Sequence, residues 1–91
     1  MSQRFAGKVA IITGGGAGIG RAIVDEWTRD GGHAVICDMD PHAAEQAAAE
    51  VAAAGGQALA LKLDVTDLDT IAGMVPATVK RFGGLDVLFN V

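Results

Sequence analysis

The stretch KVAIITGGGAGIG, Lys8 to Gly20, decides how the rest of the chain is read. Lys8 to Thr13 is a short apolar, β-rich run, the signature of a strand buried on both faces. It runs into a glycine cluster, and from Gly18 the apolar spacing becomes helical. Backbone N–H groups at a helix start lack partners and carry partial positive charge, so such a turn suits a phosphate. Glycine lets the backbone turn tightly and come close to the anion. The pattern G-x-G-x-x-G fails in every register: from Gly14 its sixth position is Ile19, and from Gly16 it is Arg21. The Walker pattern fits Gly15 and Gly20 but then meets Arg21-Ala22, so the phosphate lysine and the magnesium hydroxyl are missing. What fits is T-G-x-x-x-G-x-G, on Thr13, Gly14, Gly18 and Gly20.

Outward from this loop the chain alternates strand and helix. Ile19, Ala22, Ile23 and Trp27 form one face of a helix over Gly18 to Asp30, stopped by Gly31-Gly32. His33 to Cys37 is a second buried strand. Asp40 caps the next helix, Pro41 fits its first turn, and AAEQAAAEVAAA sustains it up to Gly55-Gly56. Gln57 to Leu63 reads as a third strand, and Asp64 to Asp67 as a turn and cap. Leu68, Ile71, Ala72, Val75, Val79 and Phe82 make another helical stripe, with Pro76 predicting a kink rather than a break. Leu85 to Phe89 is a fourth strand. The expectation is an α/β fold: a single-domain, partial Rossmann-type parallel sheet, β-α-β-α-β-α-β, with strand order 3-2-1-4.

Composition narrows the function classes. The chain has 91 residues, 51% of them hydrophobic, but 17 are alanine and only about a third carry a larger apolar side chain. Seven basic residues face 11 acidic ones without a basic cluster, which argues against nucleic-acid binding. No apolar run approaches the roughly 20 residues of a membrane span, and no signal-type apolar segment follows the N-terminus. Cys37 stands alone, so neither a disulfide nor a metal motif is expected. These features place the chain as soluble and cytoplasmic.

With four motifs in order, the chain resembles the short-chain dehydrogenase/reductase family along essentially its whole length. They are the TGxxxGxG loop, Asp38 ending the second strand, Asp64-Val65 ending the third, and RFGGLDVLFN, whose Asn90 matches the first Asn of the family's N-N-A-G motif. The resemblance implies that Gly14, Gly16, Gly18, Ile19 and Gly20 hold a pyrophosphate. It further implies that Asp38, with Met39 beside it, holds the adenosine ribose, that Asp64 and Val65 contact adenine, and that Asn90 sits near the nicotinamide-side ribose. A carboxylate at Asp38 suits a ribose diol and repels a 2′-phosphate, and Gly15, Gly16 and Ala17 bring no basic side chain. NAD is therefore favoured over NADP, with Arg21 able to blur the choice if it turns back over the loop. Taken singly, each residue has a plainer reading: a tight turn at the glycines, a solvated strand end at Asp38, a turn at Asp64, a backbone bridge at Asn90. Cys37 and Trp27 read as core, and His33 and His42 as exposed starts of elements.

The family's reaction needs a Tyr and Lys in Y-x-x-x-K, aided by a Ser. This sequence has no Tyr, and its one Ser is Ser2. No catalytic residue is therefore assigned. The chain is expected to be the N-terminal part, residues 1–91, of an NAD(P)-binding domain without its catalytic half. Its parent would interconvert an alcohol and a carbonyl by hydride transfer on a small-molecule substrate, as a homo-oligomer. The alternatives are a non-catalytic nucleotide-binding module and an inactive truncated remnant. The fourth strand is expected to form an apolar edge open to pairing.

Overall fold

The computed structural model describes residues 3–91; Met1 and Ser2 lie outside the described residues. Seven elements follow in strict alternation: β1 (Val9–Thr13), α1 (Gly18–Arg29), β2 (His33–Asp38), α2 (Pro41–Ala53), β3 (Ala58–Lys62), α3 (Leu68–Phe82) and β4 (Val87–Asn90). The sheet is parallel throughout, in the order β3-β2-β1-β4 that the sequence predicts. The α/β class and strand order are as expected.

Period-two alternation along β1 and β2 feeds two cores, one on each face of the sheet. Ala10, Ile12, Ala34 and Ile36 meet Val24 and Trp27 of α1 and Ala44, Ala47 and Val51 of α2. Val9, Ile11, Val35 and Cys37 form the other core with Leu63, and Met74, Phe82 and Leu85 pack against it. Each fully buried Ile or Val here contributes about 1.5–3 kcal/mol. Gly31, Gly55 and Gly83 follow the helix ends with φ of 89°, 91° and 85°, the left-handed conformation that glycine adopts without a Cβ penalty. Asp40 caps α2 by accepting from the N–H groups of His42 and Ala43, and Asp67 caps α3 through Asp69 N–H.

Two helices are rolled away from the faces their apolar stripes predict. In α1 the buried residues are Gly20, Val24 and Trp27; Ile23 is half-buried, while Ala22 is exposed and Ile19 is 74% exposed. The cause is Gly20, whose backbone rests on that of Gly14 and fixes the roll. The displaced apolar face of α1 joins Phe5 and Phe89 in an open apolar cleft of about 420 Å³. In α3 the predicted stripe faces outward except at Phe82, with Leu68, Ile71, Ala72, Val75 and Val79 all exposed. The inward face is Met74, Thr78 and Phe82. Thr78 is fully buried because its hydroxyl donates to Met74 O at 2.7 Å, and Phe82 stacks on His33 with ring centroids 5.1 Å apart. His33 is thus half-buried rather than exposed. The helix continues through Pro76.

Strand boundaries fall within two residues of those expected. At β4 the strand starts at Val87 because Asp86 spends its side chain on β1, its Oδ2 accepting Val9 N–H at 2.8 Å. β4 is an edge strand in this sheet, with Leu88 exposed. No helix among the described residues is long and apolar enough to cross a membrane.

Candidate functional site

Four parallel strands end on one rim, and every residue singled out by motif lies on it or in the loops leaving it. β2 and β3 lie on one side of β1 and β4 on the other, so the chain reverses its direction of winding beside β1. A crevice at such a reversal, outside the carboxyl ends of the strands, is where open α/β sheets bind ligands.

The loop after β1 has two halves. The first is stitched to β2: Gly15 N–H donates to Cys37 O at 3.3 Å, and Gly16 N–H donates to Asp38 Oδ2 at 3.0 Å. The second half starts α1. Gly14 and Gly18 have φ of 66° and 58°, the left-handed region. Gly20 lies so close to Gly14 that it has no room for a side chain. No side chain caps α1 at Ala17, and its first turn holds no acidic residue. The helix start therefore keeps N–H donors and positive dipole free for an anion, whereas α2 and α3 satisfy theirs with Asp40 and Asp67. Ile19 stands exposed at this helix start.

Asp38 closes β2 beside the loop. Its two oxygens each take one backbone N–H, Oδ2 from Gly16 and Oδ1 from Asp40, the latter at 3.0 Å. A carboxylate offers about four acceptor sites, so about two remain for a diol. Met39 next to it is 62% exposed. Beyond β3, Asp64 Oδ1 accepts from Thr66 N–H at 2.9 Å and from the Thr66 hydroxyl at 2.6 Å. Those hydrogen bonds, helped by nearby Lys62, hold the Asp64 carboxyl below its ordinary range. Val65 is exposed beside it. Asn90 ends β4 opposite Thr13, and its Oδ1 lies 3.0 Å from the Thr13 hydroxyl. The same hydroxyl accepts Val91 N–H at 3.1 Å.

The structure brings the loop and Asp38 into direct contact. Asp64 and Asn90 sit on the same rim, each in a turn or strand-end bond of its own. Arg21 does not turn back over the loop. It is bound by Glu50 at 3.0 Å and Asp25 at 3.1 Å, and these bonds, Glu50's first, raise its pKa. Lys62 was missed by sequence reasoning: it is the register partner of Asp38 on β3, is exposed, and has no ion pair among the described residues. Only the strand register reveals it. Cys37 is fully buried, and burial pushes its thiol up to about 11. Among the described residues no group of three or more His, Cys, Asp or Glu is placed to hold a metal ion.

The loop, its uncapped helix start and the neighbouring carboxylate fit a dinucleotide: an anion cradle adjoins a diol acceptor. The family model for the short chain dehydrogenases matches residues 8–91. The chain is 44% identical over 90 residues to the 2,5-dichloro-2,5-cyclohexadiene-1,4-diol dehydrogenase LinX of Sphingobium indicum, covering 99% of this chain and 36% of that one. It is 41% identical over 88 residues to a sorbitol dehydrogenase of Cereibacter sphaeroides, covering 97% of this chain and 33% of that one. A hydroxysteroid dehydrogenase from Escherichia coli superposes with a TM-score of 0.91 at 35% identity, over 97% of this chain and 37% of that one. The chain thus spans about a third of the length of these relatives. With the glycine loop, the strand order and the family match in agreement, the chain belongs to the short chain dehydrogenase family.

Proposed function

We propose that residues 1–91 are the N-terminal, dinucleotide-binding portion of an oxidoreductase that interconverts an alcohol and a carbonyl, with NAD preferred over NADP. The observation that carries this reading is the Asp38 carboxylate, fixed beside the glycine loop with acceptor sites free. Gly14, Gly18, Ile19 and Gly20 shape the helix start that takes the pyrophosphate. Asp38 accepts from the adenosine ribose, with Met39 against its neighbourhood, and Asp64 and Val65 border the adenine. Asn90 stands at the end of β4 beside Thr13, on the side of the nicotinamide ribose. The nicotinamide, when bound, supplies the hydride acceptor or donor. The chain's own residues supply binding and orientation.

Titration of NAD and NADP into the chain tests the reading. Asp38→Ala is expected to weaken NAD binding by about tenfold, the worth of hydrogen bonds to a charged group, and to erase most of the preference over NADP. An unchanged NAD/NADP ratio would sink the ribose role.

A second reading, a nucleotide-binding module without turnover, is favoured by the absence of Tyr from the sequence. General acid–base catalysis of hydride transfer needs a positioned proton donor. Under this reading the chain binds NAD yet forms no NADH with any alcohol. NADH formation by the 91-residue chain itself would rule it out.

A further inference from the structure

The glycines of the loop are glycine for different reasons. Gly14 and Gly18 adopt positive φ, and Gly18 has open space where a Cβ would stand. Gly16 does not have positive φ, so its backbone would accept any residue. What excludes a side chain there is proximity: a Cβ at position 16 would lie 2.8 Å from Asp38 Oδ2 and 2.7 Å from the Cβ of Ala43. The N–H of Gly16 is committed in the same direction, to that same Oδ2 at 3.0 Å. A donor already bonded to a carboxylate is not one of the free donors a phosphate needs. Backbone N–H to carboxylate bonds are charge-assisted and directional. Together with the Asp40 N–H on Oδ1, the Gly16 N–H fixes the Asp38 carboxylate by both oxygens.

We infer that Gly16 is a positioning residue for sugar recognition rather than a phosphate-binding one. Its N–H and its missing side chain hold the Asp38 carboxylate in the orientation that meets a vicinal diol, and so set the discrimination between NAD and its 2′-phosphorylated form. This rests on the ribose role of Asp38 proposed above. Fixing an acceptor before the ligand arrives favours the ligand that matches it and disfavours one that needs the acceptor moved.

A double-mutant cycle tests it: wild type, Gly16→Ala, Asp38→Ala and the double variant, each titrated calorimetrically with NAD and with NADP. Gly16→Ala is expected to weaken NAD by about tenfold and NADP by less than about threefold, collapsing their ratio. In the Asp38→Ala background, Gly16→Ala should change NAD affinity by less than about twofold, because its target is gone. Equal losses of NAD and NADP, or the same loss of NAD in both backgrounds, would overturn the inference and return Gly16 to the phosphates. If Asp38→Ala leaves the NAD/NADP ratio alone, the ribose reading itself has failed and this inference goes with it. Should Gly16→Ala not fold, Gly16→Ala/Ala43→Gly removes the clash with the Ala43 side chain and leaves the contact with Asp38 as the closest, with the Ala43 backbone at 3.0 Å. Without ligand, the Gly16 amide proton should move in the NMR spectrum of Asp38→Ala; an unmoved resonance refutes the bond on which the inference stands.

Discussion

Gly20 rests on Gly14: a Cβ built on Gly20 would lie 2.0 Å from the Gly14 carbonyl oxygen. The clash is with backbone, which cannot swing aside as a side chain tip would. Gly20→Ala is therefore expected to cost at least about 2 kcal/mol in urea unfolding and to push α1 off the loop. Gly73→Ala provides the control, since nothing lies within 4 Å of its Cβ position in the middle of α3. That substitution should be neutral or stabilise by up to about 1 kcal/mol.

Lys62 sits in register with Asp38 and carries the cation nearest in the sheet to that carboxylate. Under the ribose role proposed for Asp38, a cation at this register position is expected to temper the repulsion of a 2′-phosphate. Lys62→Glu should weaken NADP binding by about tenfold and NAD by much less, most strongly at low salt. Equal effects on both dinucleotides would remove Lys62 from the discrimination.

The Thr13 hydroxyl ties β1 to the end of β4 by pairing with Asn90 Oδ1 and accepting Val91 N–H. Thr13→Val keeps shape and strand propensity while deleting these bonds. Stability should fall by about 1 kcal/mol, and hydrogen exchange should quicken at Asn90 and Val91 before it does in β2.

Burial raises the Cys37 thiol to about 11, so the thiolate that alkylating reagents need is scarce in the folded chain at pH 8. Iodoacetamide should modify Cys37 only as fast as the sheet opens, and urea should accelerate the reaction steeply. The sign for stability follows. The raised folded value means the thiol's contribution is intact below its unfolded pKa and is lost as the pH climbs toward 11.

At Asp64 the shift runs the other way. The hydroxyl and N–H of Thr66 favour the charged carboxylate and lower its pKa. The turn after β3 is then supported above the ordinary carboxylate range, and that support is lost as pH falls through the lowered value. Thr66→Val should shift the Asp64 carboxyl resonance titration upward; an unmoved titration would mean the lowering comes from elsewhere.

Much of this was legible in the sequence. Glycine pairs and aspartate caps marked the elements, the run of short crossovers argued a parallel sheet, and Rossmann-type winding supplied the order 3-2-1-4. The roll of two helices was not legible. Apolar periodicity in α3 picks out Ile71, Val75 and Val79, whereas the face that packs includes Thr78, a polar residue whose hydroxyl is satisfied inside its own helix. In α1 a glycine contact outranks the apolar stripe, and no hydropathy pattern records it. At the site, the loop could be named from its glycine spacing, and Asp38 from the family resemblance. Their mutual bond could not, nor could Lys62, because both depend on which residues the sheet sets side by side.

The strand order also sets a timetable. β1 is the centre of the sheet, yet its second neighbour lies far along the chain, with Ala10 paired to Val87 and Thr13 to Asn90. On a ribosome, Val9–Thr13 emerges before the other strands of this sheet and finds β2 within a few tens of residues. Its other edge, the row of backbone groups that pairs with β4, stays open until nearly the whole of this stretch has been made. Of the four strands described, the one inside the sheet that is made first must wait for the one made last before both its edges are paired. Such long-range pairing carries a loop-closure cost that local contacts do not, and it slows folding.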